Sequence, residues 1–166
     1  EELIAKYPAT TRSSSRLLCV NRQKNEFQHR HVHQLADLLE SNDLLVFNNS
    51  KVIPARLFGH KQSGGKVELL VERILNKTTV LTHIKANRAL RDGTRLIFAE
   101  KVEAEVVTRH GELYELLFQE ALCVLSYLQQ HGEIPLPPYI DRHSETSDRQ
   151  RYQTIYAKHE GSAAAP

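Results

Sequence analysis

The rhythm of hydrophobic and polar positions changes twice along the chain. Up to Phe47 it is mixed. Arg16-Leu17-Leu18-Cys19-Val20 reads as a buried strand and Asn21 to Asn25 as a polar turn. Glu26 to Val32 alternates loosely enough to pair back as a hairpin. Val32, Leu35, Ala36, Leu38 and Leu39 fall at helical spacing, which predicts an amphipathic helix over 33–39. Glu1 to Tyr7 reads as a short helix halted by Pro8. Ser41-Asn42-Asp43 is a break. Leu44 to Phe47 is apolar without alternation, the pattern of a strand buried on both faces.

After Pro54 the period becomes two. Short strands are predicted at Ala55 to Gly59, Lys66 to Ile74, Thr79 to Lys85, Thr94 to Phe98, Val102 to Thr108 and Leu113 to Phe118. Turn signals separate them: Ser63-Gly64-Gly65, Asn76-Lys77, Asp92-Gly93 and His110-Gly111. Such a run implies a small antiparallel barrel. Helical spacing returns at Leu122, Leu125, Tyr127 and Leu128 and ends at Gly132. Pro135-Leu136-Pro137-Pro138 is a stiff extended link, and Asp141 to Lys158 reads as half loop, half helix. There is no internal repeat. The expected fold is α/β with an inserted small antiparallel β-barrel. Residues 1–54 form the first part of the α/β domain, 55–120 the barrel, and 121–166 the return segment. The chain opens at Glu1 without Met and stops at Ala163-Ala164-Ala165-Pro166, so the α/β domain reads as incomplete in this chain.

Composition narrows the class. With 166 residues, 40% hydrophobic and 25% charged, the chain suits one domain or two small ones of an ordinary soluble protein. No apolar run approaches the roughly 18 to 20 residues of a membrane span, and no secretory signal leads the chain, so the cytoplasm is expected. Cys19 and Cys123 stand far apart without a CxxC partner and read as two buried thiols. His29, His31 and His33 alternate and would share one strand face. Lacking an acidic or Cys partner, they read as a solvated strand end, and no metal is expected.

Net charge is only +2, but its distribution is uneven. Arg12, Arg16, Arg22, Lys24 and Arg30 face one acid, Glu26. Lys51, Arg56, Lys61 and Lys66 face none. Lys85, Arg88, Arg91 and Arg95 face Asp92. These stretches suit either one phosphate-facing surface or scattered solvated faces. Lys61 and Lys66, around a Gly64-Gly65 turn, are the candidate RNA contacts. The alternative is a solvated hairpin tip.

Candidate chemistry centres on Phe47-Asn48-Asn49-Ser50-Lys51-Val52-Ile53-Pro54-Ala55-Arg56. Polar groups at the carboxyl end of a strand face the ligand crevice of α/β proteins. Asn48 and Asn49 suit a ribose or amino-acid group, and Lys51 and Arg56 a phosphate or carboxylate. A capped inter-domain turn fits the same residues. Glu68 is an ordinary strand residue unless the barrel faces a cleft; Gly64-Gly65-Lys66 lacks the spacing of a phosphate loop. Tyr139, at the end of the Pro-rich link, is placed to stack on a base. Tyr152, Gln153 and Tyr156 belong to a polar, aromatic cluster in which the two tyrosines would share a helical face. The site is expected in the cleft between the domains, near Tyr139.

These segments, in order, resemble the S-adenosylmethionine:tRNA ribosyltransferase-isomerase family of queuosine synthesis. The matching stretches are Glu2-Leu3-Ile4-Ala5 with Pro8, Arg12 with Ser15-Arg16-Leu17-Leu18, Asp43 through Gly59, Gly64-Gly65-Lys66-Val67-Glu68, Pro135-Leu136-Pro137-Pro138-Tyr139-Ile140, Tyr152-Gln153-Thr154-Ile155-Tyr156-Ala157 and Gly161 through Pro166. Departures are Ala163 for a usual Val, Asn42 for a usual Gly, a short Phe98 to Val102 connection, and no Met.

The resemblance implies a substrate, tRNA carrying 7-aminomethyl-7-deazaguanine at the wobble position, held by its anticodon arm. It implies S-adenosylmethionine as a consumed co-substrate that supplies its ribosyl group. A base removes a proton beside the sulfonium, adenine leaves, and the aminomethyl nitrogen attacks the opened sugar, giving epoxyqueuosine-tRNA and methionine. The sulfonium acidifies that carbon, so a modest base suffices. Asn48, Asn49, Lys51, Arg56, Glu68, Tyr139, Tyr152, Gln153 and Tyr156 become the substrate-binding set, with Lys61 and Lys66 on RNA and no assigned base. A monomer is expected, inactive as this fragment alone. The alternative reading is a non-catalytic RNA- or protein-binding β-barrel module.

Overall fold

In a computed structural model that describes residues 2–161, the chain divides into two compact units. One comprises residues 2–47 and 139–142, the other 48–138 and 143–161.

The second unit is built on six strands: β4 (Arg56–Lys61), β5 (Lys66–Ile74), β6 (Thr79–Ala86), β7 (Arg95–Ile97), β8 (Glu103–His110) and β9 (Leu113–Phe118). They close into an antiparallel barrel in the order β4-β5-β6-β9-β8-β7. The alternation drives closure. Leu57, Val67, Leu69, Val71, Val80, Leu96, Ala104, Val106, Tyr114, Leu116 and Phe118 all point inward and are buried. Bulges between Val71 and Arg73 and between Val106 and Thr108 curve the wall. The short Phe98 to Val102 connection is accommodated by left-handed backbone at Glu100 (φ 55°) and Lys101 (φ 60°) in the turn Ala99–Lys101. Gly59 lets β4 pass close to β7: a Cβ there would lie 2.6 Å from the Ile97 carbonyl oxygen.

Helix α1 (Val124–His131) packs Val124, Tyr127 and Leu128 onto the barrel core. The Tyr127 hydroxyl donates to the Ala99 carbonyl at 2.9 Å, and burial raises its pKa, with the Glu100 charge adding to the effect. Arg149, in α2 (Asp148–Arg151), donates to the Gln129 and Gly132 carbonyls at 2.8 and 2.9 Å and so caps the C-terminus of α1.

The chain enters the barrel through buried Val52, Ile53, Pro54 and Ala55. It leaves beside that entry: Arg56 and Glu133 exchange backbone hydrogen bonds of 3.1 and 2.8 Å. Strand β3 (Ser50–Val52) pairs in parallel with β10 (His159–Gly161) in the register Ser50↔His159, Lys51↔Glu160, Val52↔Gly161. A parallel pair requires a long crossover, and here that crossover contains the whole barrel. The expected inserted barrel is therefore present, beside a small parallel sheet.

The first unit holds a hairpin of β1 (Arg16–Asn21) and β2 (Glu26–His31) in the register Arg16↔His31 to Asn21↔Glu26. Asn21 Oδ1 accepts from the Gln23 and Lys24 amides, and Asn25 takes φ 52°. Four expectations fail here. The β1 strand is largely exposed rather than buried, since two strands alone enclose no core. Cys19, like Cys123 of the other unit, is free and half-exposed rather than buried. The helix expected over 33–39 is a run of 3-10 turns, Val32–Leu38, because its apolar positions meet no core to stabilise an α-helix. Residues 2–7 form turns and bends, not a helix, and Glu1 lies outside the described residues.

A fifth correction concerns Leu44 to Phe47, expected as a doubly buried strand. Among the described residues the segment has no sheet partner, and Leu44 and Val46 are each 86% exposed. A strand is defined by its neighbours' hydrogen bonds, which apolar character alone does not supply. No helix among the described residues is long and apolar enough to cross a membrane.

Candidate functional site

Asn48, Asn49 and Lys51 sit at the start of β3. Asn48 Oδ1 accepts the Ser50 amide at 2.8 Å, an Asx turn that fixes the approach to the strand. The Asn49 carbonyl accepts the Lys158 and His159 amides at 2.7 and 3.2 Å, which seats β10 against β3. Along β3, Ser50 is half-buried, Lys51 exposed and Val52 buried, so pleating turns the lysine outward.

Gln153 completes the edge. Val52 donates its amide to Gln153 Oε1 at 2.8 Å, and Gln153 Nε2 donates back to the Val52 carbonyl at 2.7 Å. The carboxamide thus imitates a peptide unit of a neighbouring strand. On the other side, Ile53 donates to the Gly161 carbonyl at 2.9 Å. Gln153 is thereby the residue that clamps β3, and the outward Asn49 and Lys51 are held on a strand bonded along both edges.

Tyr152 and Tyr156 do not share a helical face. The α2 helix ends at Arg151, and Tyr152 leaves it with φ −86° and ψ 53°. The Asp148 carboxylate accepts the Glu145 amide at 2.8 Å and so fixes the turn that leads into the helix.

Arg56 and Glu68 lie on the outer wall of the barrel, paired at 3.3 Å from Nε to Oε1. Arg56 Nη2 also donates to the Leu136 carbonyl at 3.3 Å and so anchors the Pro-rich return segment. Lys66 is exposed on the same wall. Lys61 is one residue out of phase with it: its Nζ donates to the Arg88 carbonyl at 3.1 Å, tying the hairpin tip to the β6–β7 loop. Tyr139 belongs to the other unit, where it is exposed.

The structure thus gathers Asn48, Asn49, Lys51 and Gln153 around β3, and places Arg56, Glu68 and Lys66 on one barrel wall. What the sequence reading passed over is Phe58, 47% exposed on that wall between Arg56 and His60. Its signal was present in the period of two: a phenylalanine at an outward position. The exposed Asn49 amide and Lys51 ammonium offer donors for a hydroxyl, carboxylate or phosphate. His31 and His33 stack at 5.5 Å, and their Nδ1 atoms lie by the Ser14 and Ser13 carbonyls. Among the described residues no group of three His, Cys, Asp or Glu is placed to hold a metal.

The chain is similar to S-adenosylmethionine tRNA ribosyltransferase from Thermotoga maritima, whose crystal structure it matches with 31% identity and a TM-score of 0.43, over 79% of this chain and 45% of that one. It therefore spans less than half the length of that relative. The sequence profile of the family described as "Queuosine biosynthesis protein" matches residues 1–166. This chain belongs to the queuosine biosynthesis protein family.

Proposed function

We propose that the protein of which this chain forms part transfers and isomerises the ribosyl group of S-adenosylmethionine onto 7-aminomethyl-7-deazaguanine at the wobble position of tRNA, releasing adenine and methionine. The observation that carries this reading is the family match over residues 1–166, which includes the whole Asn48 to Arg56 segment.

In this reading Asn49 and Lys51 contact the polar groups of S-adenosylmethionine. Lys51 suits its carboxylate and Asn49 a ribose hydroxyl. Gln153 and Asn48 are positioning residues that hold β3 and its entry turn. Tyr152 and Tyr156 offer aromatic faces to a base, and Tyr139, on its own unit, is exposed and free to stack. Arg56, paired with Glu68, holds the return segment on the barrel wall, and the two offer charged groups to substrate there. Lys66 meets RNA phosphate, and Lys61 supports the hairpin that carries it.

The test is incubation of the full-length protein with S-adenosylmethionine and an anticodon stem-loop bearing the modified base. The expected result is adenine released in step with mass gain on the RNA. RNA binding without adenine release would contradict transfer and favour a non-catalytic RNA-binding barrel.

A further inference from the structure

The outer wall of the barrel is divided by charge. Across β4, β5 and β6 the register sets outward residues in three rows: His60 beside Lys66; Phe58, Glu68 and Lys85; and Arg56, Leu70 and His83. Arg56, Lys66 and Lys85 stand against one acid, Glu68, and that acid is paired with Arg56. Glu72 and Arg73, at the bulge beyond these rows, pair with each other at 3.3 Å. Among the described residues Lys66 and Lys85 form no ion pair. The opposite wall is reversed. On β7, β8 and β9 the outward Glu103, Glu105 and Glu115 stand against Arg95, which lies 3.9 Å from Glu105. Arg109, at the far end of β8, donates to the Gly111 carbonyl and lies over the Tyr114 ring.

Phe58 belongs to the positive wall. An aromatic ring left open to water at an outward position of β4, while its neighbour Leu57 is the side chain buried in the core, gains nothing for the barrel core. Its position, with unpaired lysines in its own row and the next, is that of a stacking platform inside a phosphate-binding field. Strands about 4.8 Å apart, with same-face residues about 6.8 Å apart along each, match the reach of consecutive nucleotides. The exposed Arg88, whose carbonyl holds Lys61, extends the positive field beyond the hairpin end of this wall.

We infer that the β4–β5–β6 wall binds a single-stranded stretch of RNA, one base stacked on Phe58 and neighbouring phosphates on Lys66 and Lys85. The inference rests on the tRNA-modifying reading and names its RNA-binding surface. A polyanion is favoured over an acidic protein because the cations of this wall outnumber its one acid, Glu68, which is already paired with Arg56, and half-buried Leu70 is the only other apolar side chain in these rows, short of the apolar ring of a protein interface.

The test compares wild type, Phe58→Ala, Phe58→Trp and the double variant Lys66→Ala/Lys85→Ala in the full-length protein. Binding to a labelled unmodified anticodon stem-loop is measured at several salt concentrations, with thermal melting as a fold control. Each side chain is exposed or half-exposed, so melting should be unchanged. Phe58→Ala should weaken binding about tenfold at every salt, and Phe58→Trp should retain it. The lysine double variant should weaken binding and lower the salt slope by about two units. If wild type binds RNA and both losses are absent, the wall assignment is overturned while the tRNA reading stands. If wild type binds no RNA, both fall.

Discussion

Two hairpins of similar pattern have different fates in this molecule. In β1–β2, Leu18, Val20 and Phe27 share one face of the hairpin and remain more than half exposed. In β4–β5, Leu57, Val67 and Leu69 likewise share one face and are buried. The difference is closure. β5 continues into β6, β9, β8 and β7 until β7 pairs back with β4 through His60↔Ile97 and Lys61↔Leu96, so every inward side chain meets another. Alternation specifies a strand with two unlike faces. Burial follows only when enough strands share one face.

That contrast sets the order of expected effects on stability. Leu116→Ala, in the barrel centre, should destabilise by about 2–5 kcal/mol in chemical unfolding, through lost transfer energy and a residual cavity. Gly59→Ala should cost about 1–3 kcal/mol, since its Cβ meets both the Ile97 carbonyl and the Phe98 ring. Gln153→Ala should cost about 1–3 kcal/mol by leaving the Val52 amide and carbonyl without their partner. Leu18→Ala in the open hairpin should change stability by no more than about 0.5 kcal/mol. A loss at Leu18 as large as at Leu116 would break the comparison. The smallest effect is chemical. Hydrogen bonding with Ser126 lowers the Cys123 pKa, so more of it is thiolate at pH 8. Ser126→Ala should raise that pKa and slow Cys123 alkylation at pH 8, with no change in melting.

The barrel was legible because its information is local. Each strand from Lys66 to Phe118 carries its own alternation and is bounded by its own turn, and Gly64, Gly93 and Gly111 take the positive φ those turns need. Regions that depend on distant partners were not legible. Leu44 to Phe47 has strand composition, yet its state is set by what lies beside it. Val32–Leu38 has helical spacing but no core to stabilise a helix. At the candidate site, Asn48, Asn49 and Lys51 were legible as polar residues after an apolar run. The pairing of Gln153 with Val52 was not, because it joins positions 101 residues apart through one side-chain amide. Phe58 escaped notice because alternation reveals a face without saying what the exposed face meets.

The account assigns small-molecule contacts to the start of β3 and RNA contacts to the positive barrel wall. The most direct test is steady-state adenine release by the full-length protein, comparing Lys51→Ala with Lys66→Ala/Lys85→Ala while S-adenosylmethionine and modified stem-loop are varied in turn. The predicted result is that Lys51→Ala raises KM for S-adenosylmethionine about tenfold or more, as for a lost charge-assisted contact, and leaves KM for RNA unchanged. The lysine pair should do the reverse. Equal effects on both substrates from either variant, or no adenine from the wild type, would contradict it.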